Sequence, residues 1–183
     1  MNPRFHYYLR SVKNISRSIL SSRFWAVHSP KIQSGISVEN NFFGINIAPS
    51  ADPKADDFIV ERLQELGLQH VRMNFTYDSI NGYAERLLER VIAEGFEVLL
   101  DLIPPFEDAK SFTLAAQERW KAFLNSVAEK YGQQVAYIEI GSTPNRGRWS
   151  GFEPSDYLIA WRIANDELKP LNIVLAGPNV SDF

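Results

Sequence analysis

Residues 138–149 read IEIGSTPNRGRW. A strand-like apolar run ends in glycine, passes two small hydroxyls and a proline, and enters a basic loop tipped by tryptophan. The arginines of this loop, Arg146 and Arg148, suit two-pronged contacts to carboxylate or phosphate groups. Trp149 offers either a flat apolar face to a ring such as a sugar or a wedge that packs on the following helix. Polar side chains gather at other strand-like ends too: Asn46, then Arg72 and Asn74, then Asp101, then Ser142, Thr143, Asn145, Arg146 and Arg148, and finally Asn179. Three carboxylates lie close to these ends. Glu139 has the same strand sense as Gly141, so it either points to the centre of the architecture or pairs beneath the site with an arginine. Asp101 is a second candidate acid, with a buried pair to Arg72 as the quieter alternative. Glu153 stands where an acid favours a helix N-terminus.

The elements that must position these residues follow one rhythm. Strand-like stretches FFGINI (42–47), QHVRMNF (69–75), FEVLLDLI (96–103), VAYIEIG (135–141) and NIVLAG (172–177) alternate with helical patterns at 51–67, 80–94, 111–131 and 154–169. Asp52 is the expected N-cap of the first helix, Pro53 its first residue and Gly67 its stop. Gly95 and Gly132 end the next two. The near-continuous apolar run of the third strand predicts cover on both faces. Such alternation implies βαβ units and a parallel sheet, either doubly wound or a (β/α)8 barrel. In a parallel sheet of this kind the strands' carboxyl ends converge on one face, where sites are built. The first strand leads into NIAPSADPKADD without a Gly-x-Gly, which speaks against a dinucleotide-binding sheet.

The 183 residues carry a net charge of −3 and ordinary apolar and charged fractions. The absence of cysteine removes disulfides, thiolate zinc sites and cysteine nucleophiles. His6, His28 and His70 have no metal-ligand spacing, so neither a metal nor another cofactor is expected. No apolar stretch approaches the roughly 20 residues of a membrane span. Charge is unevenly placed: residues 1–38 hold six basic side chains and no acid, and the remainder thirteen basic and twenty-two acidic. Phe5, Tyr8, Val12, Ile15 and Ile19 recur at helical spacing opposite Arg10, Lys13 and Arg17. Residues 1–40 thus read as a basic amphipathic segment and linker, serving either as a surface anchor to anionic lipid through residues 4–31 or as an arm on the main domain. Residues 41–183 form the βα domain. A cytoplasmic location, peripheral to the inner membrane if the anchor operates, is the expectation. Nucleic acid is not an expected partner.

The loop EIGSTPNRGRWSGF resembles the acid/base loop of a large clan of (β/α)8 glycoside hydrolases, in which a Gly-Asn-Glu-Pro motif follows strand four. GLQHVRMNF is similar to that clan's second strand, and FEVLLDLIPP and VLAGPNVSDF to its third and fifth. The resemblance runs from about Phe42 to the last residue. It implies a TIM-barrel-like fold, a carbohydrate ligand, and a role for Arg72 beside the nucleophile. It also places the clan's sugar-binding asparagine at Ser142 and its acid/base at Thr143. Threonine cannot donate a proton near neutral pH, and the usual mechanism requires two carboxyl groups. The second would follow a seventh strand, whereas five strands are recognisable, and a whole barrel typically takes about 250 residues.

The expected fold is therefore a partial barrel of five βα units, whose unpaired edge and open interior imply either self-association or truncation of a longer gene product. Its expected carbohydrate-binding residues are Asn46, Arg72, Asn74, Ser142, Thr143, Asn145, Arg148 and Trp149. Three readings stand: a glycan-recognising domain impaired in catalysis, an active hydrolase using Glu139 or Asp101 or a partner chain, and a non-enzymatic accessory protein in surface polysaccharide metabolism held at the membrane.

Overall fold

A computed structural model describes residues 43–180. The basic segment 1–40 and its proposed membrane contact lie outside the described residues. Five strands form one all-parallel sheet: β1 Gly44–Asn46, β2 His70–Phe75, β3 Glu97–Leu102, β4 Tyr137–Ile140 and β5 Leu175–Ala176. Their spatial order is their chain order. This order decides between the two sheet architectures. A doubly wound sheet reverses direction part-way and carries helices on both faces, whereas right-handed crossovers between successive neighbours put every helix on the same face. The fold is α/β and TIM-barrel-like, with four βα units and then a fifth strand among the described residues.

Helices α1 (Pro53–Glu65), α2 (Tyr83–Ala93), α4 (Leu114–Tyr131) and α6 (Pro154–Leu168) connect the strands, with two short helices, α3 (Phe106–Lys110) and α5 (Gly147–Ser150), in the loops. The strand periodicity of two sorts side chains cleanly. Val71, Met73 and Phe75, Val98, Leu100 and Leu102, and Ile138 and Ile140 are all buried. The core that encloses them includes Leu87, Leu88 and Val91 of α2, Trp120, Phe123 and Leu124 of α4, and Ala160, Ala164 and Leu168 of α6. The small Ala160 and Ala164 let α6 approach α4 closely enough for the Trp120 indole to donate to the Ala160 carbonyl at 3.1 Å. Polar ties join the outer elements. Arg86 binds Asp56 at 2.6 Å and the Ser50 carbonyl at 2.8 Å, fastening α2 to α1. Buried Glu85 accepts from Tyr131 and Lys130 of α4.

Local chemistry shifts several expected boundaries. Asp52 caps α1 by accepting from Lys54 N, and the chain turns at Gly67 and Gly95 as expected. The second helix begins at Tyr83 rather than residue 80. Tyr77–Ser79 instead forms a 3-10 turn, held by the Thr76 amide donating to Ser79 Oγ, and Asn81 adopts a left-handed conformation while its amide donates to Glu85. The third long helix begins at Leu114 because Thr113 caps it. The residues before it form α3, which starts beyond Pro104 and Pro105. The expected loop after β4 contains α5, and β5 is shorter than its apolar run. The third strand is covered on its helix side, and on the other face cover grows along the strand: Glu97 is exposed, Leu99 half-buried and Asp101 fully buried. Among the described residues no helix is long and apolar enough to cross a membrane.

The Trp120 indole is a packing and hydrogen-bonding centre. Trp120→Ala should lower the urea-unfolding free energy by about 3–5 kcal/mol. Exposed Trp149→Ala should change it by no more than about 0.5 kcal/mol.

Candidate functional site

The sheet face opposite the helices carries the polar residues. Strand register places Asn46, Arg72 and Leu99 on one level, and Asn74, Asp101, Glu139 and Ala176 on the next toward the strand ends. Arg72 reaches across both levels. Its Nε donates to Glu139 Oε2 and its Nη2 to Asp101 Oδ2, each at 2.7 Å. Its Nη1 donates to Asn74 Oδ1 at 3.0 Å and to Asn46 Oδ1 at 3.3 Å. The other Glu139 oxygen accepts from the Asn179 amide at 2.8 Å, beyond β5. One guanidinium and one carboxylate thereby link β1, β2, β3, β4 and the segment after β5.

The electrostatics follow from two acids sharing one base. Asp101 is fully buried, and its Oδ1 has no hydrogen-bond partner among the described residues. Burial pushes its pKa up to about 7, since the favourable charge of Arg72 is countered by the neighbouring Glu139. For Arg72, burial alone would lower the pKa. The hydrogen bond to Glu139 and the two carboxylate charges reverse that and raise it. Burial, with Glu139 and Asp101 nearby, also raises the pKa of Tyr157, whose hydroxyl donates to the Ile140 carbonyl at 3.0 Å.

The loop after β4 departs from regular backbone twice. Gly141 has φ 72°, and a Cβ there would lie 3.1 Å from the Tyr157 ring, so only glycine fits without displacing that ring. Thr143 has φ 48°, an outlier for a β-branched residue that costs on the order of 1–3 kcal/mol. It is held there by its amide donating to the Asn179 carbonyl at 2.7 Å and its carbonyl accepting from the Arg146 amide at 2.9 Å. Ser142 bridges in parallel to Asn179. Ser142 and Thr143 thus join the Arg72 cluster through Asn179 and Glu139.

The remaining expected residues are placed differently. Arg148 and Trp149 lie on α5 and are exposed, Trp149 at 73%. Neither side chain makes a hydrogen bond or ion pair among the described residues, and Trp149 is not part of the buried core. Asn145 is also exposed. Glu153 occupies the N-cap position of α6 without a side-chain capping bond. Of the candidate acids, Asp101 and Glu139 are both joined to Arg72, as in the quieter alternatives. Among the described residues no cluster of histidine and acidic side chains could hold a metal ion. The sequence pattern does not single out Tyr83 and Phe106, exposed aromatics at the first positions of α2 and α3. Their only signal is an aromatic opening a helix just beyond an inward-polar strand.

No protein-family model and no curated protein matches the sequence. A solved structure of a family 39 glycoside hydrolase from the gut symbiont Bacteroides cellulosilyticus WH2 matches with a TM-score of 0.53 and 15% identity, covering 73% of this chain and 30% of that one. The likeness at this identity is one of fold. The chain shares a TIM-barrel-like fold with that hydrolase and spans less than a third of its length.

Asp101 links stability to pH. In the folded protein it keeps its proton to about pH 7, against an ordinary value of 3.8, so between these values the folded state binds more protons than the unfolded chain. Its contribution is complete below the lower value and is lost as pH rises to the upper. Asp101→Asn removes this dependence. Between pH 4 and pH 7 the wild type should lose stability relative to the variant, read by urea unfolding at each pH, whereas parallel profiles would contradict the assignment.

Proposed function

We propose that this chain is a glycoside-hydrolase-like domain that recognises a glycan at its strand ends and does not hydrolyse it. The carrying observation is the pairing of Thr143 with the Arg72 cluster. A hydroxyl in a strained, hydrogen-bonded turn stands at the position where the resemblance puts the acid/base. The inner-face carboxylates nearest to it are engaged, Glu139 through both oxygens and Asp101 through its Oδ2. A group so committed cannot deliver a proton to a glycosidic oxygen without dismantling the contacts that hold the strands together.

The glycan half of the proposal rests on fold-level likeness joined to chemistry. Amides, hydroxyls and an arginine line the strand ends, and exposed Tyr83 and Phe106 stand in the cleft beside them. A polar array beside an aromatic face suits a ring that has C–H bonds on one side and hydroxyls around its rim.

One observation favours the alternative of an active hydrolase: a carboxyl with a pKa of about 7 has the proton affinity of a general acid. Burial weighs against it, because Asp101 exposes no surface to a substrate.

Incubated with chromogenic aryl pyranosides, the full chain should release phenol no faster than buffer across pH 4–9, and Asp101→Asn and Glu139→Gln should leave that result unchanged. Turnover by the wild type that either substitution abolishes would replace this proposal with the active-hydrolase reading.

A further inference from the structure

A cleft of about 520 Å³ opens beside the Arg72 cluster and is built by three loops. Pro49 follows β1, Thr76, Asp78 and Ser79 follow β2, and Pro104 and Pro105 follow β3. Its volume lies within the usual range for small-molecule sites, about 300–1,000 Å³. The prolines fix their own backbone dihedrals, so much of the wall is formed before any ligand arrives.

Three features define the chemistry this cleft accepts. First, Tyr83 and Phe106 both line it, and they are 52% and 43% exposed. Two wet aromatic faces in one concavity are costly to leave uncovered, and they suit the flat C–H face of a saturated ring or another ring system. Second, the polar groups are hydrogen-bonding ones. Asn74 has its Oδ1 bonded to Arg72, so its amide hydrogens are what it offers a ligand. Third, the charge is one-sided: Asp78 is the single ionisable carboxylate of the lining, and no lysine, arginine or histidine faces it there. A ligand carrying carboxylate, sulfate or phosphate would meet repulsion without a counter-charge. Hydroxyls, by contrast, can donate to Asp78 and accept from Asn74.

We propose that this cleft binds a neutral pyranose unit, stacked on Tyr83 or Phe106 and hydrogen-bonded by Asn74 and Asp78. The inference rests on the glycan reading above and deepens it. It makes the cleft between the β1, β2 and β3 loops the principal sugar site and assigns no contact to the arginine-rich loop after β4. Asn74 belongs to both the cleft and the Arg72 cluster, so a ring in the cleft touches the network that joins the strands.

The test is titration of the full chain, by calorimetry and saturation-transfer NMR, with methyl glucoside, cellobiose, xylobiose and methyl glucuronide. Wild type should bind at least one neutral probe and bind the glucuronide more weakly. Tyr83→Ala and Phe106→Ala should together weaken neutral binding roughly five-fold or more. Arg148→Ala and Trp149→Ala should leave it within two-fold. All four sites are exposed at the surface, and an unchanged urea midpoint certifies each variant as folded. Neutral binding that survives loss of both aromatics but disappears with Trp149→Ala overturns the cleft proposal and leaves glycan recognition standing. Preference for the glucuronide overturns the neutral class. Failure of every probe, charged or neutral, overturns glycan recognition itself.

Discussion

Arg72 shares its guanidinium between two carboxylates and two amide oxygens drawn from four strands. A parallel sheet with helices on one face leaves its other face to be filled by side chains, and here that face is polar. Polar atoms in such a place are costly unless each finds a partner, and a buried charge without one is costlier still. Arg72 supplies partners to Asn46, Asn74, Asp101 and Glu139 at once. It does so imperfectly: one positive charge meets two acids. Raising the pKa of the deeper acid, Asp101, resolves the surplus by favouring a retained proton. Removing one partner from a buried ion pair typically costs about 3–5 kcal/mol, so this arrangement is intolerant of change.

The same network shapes what the strand ends can do. Glu139 uses its second oxygen to hold the Asn179 amide, and Asn179 in turn holds the Thr143 amide in its left-handed turn. The chain after β4 is therefore set by a structural relay that begins at Arg72. Carboxylates employed in this way stabilise architecture, and a hydroxyl at position 143 adds no acid. In the proposed reading, recognition falls to groups that project beyond the network, the aromatic and polar walls of the cleft next to β1, β2 and β3.

Much of this was legible in the sequence because two periodicities carry it. Alternation along QHVRMNF and VAYIEIG separates Val71, Met73, Phe75, Ile138 and Ile140 from Arg72, Asn74 and Glu139, and the structure buries the first group against helices while bonding members of the second to one another. Asp52-Pro53 and Gly67 mark a helix start and stop because capping chemistry is local. Other features are not local. The delayed start of α2 depends on Glu85 reaching back to the Asn81 amide while α4 holds its other oxygen. The strained φ of Thr143 depends on Asn179, thirty-six positions later. The cleft was illegible because three loops, far apart in the chain, each contribute part of its wall. The choice between barrel and doubly wound sheet depends on strand order, which strand and helix patterns alone do not encode.

If the Arg72 cluster is the tie that sets the strand ends, its removal must be felt at a distance and selectively. Amide hydrogen exchange on Arg72→Met, compared with wild type, measures this directly. The account predicts that the amides of Thr143 and Asn179 lose protection together, although neither touches Arg72, while those of Leu100 and Leu124 in the core keep most of theirs. Unchanged protection at Thr143 and Asn179 in a folded variant would contradict it.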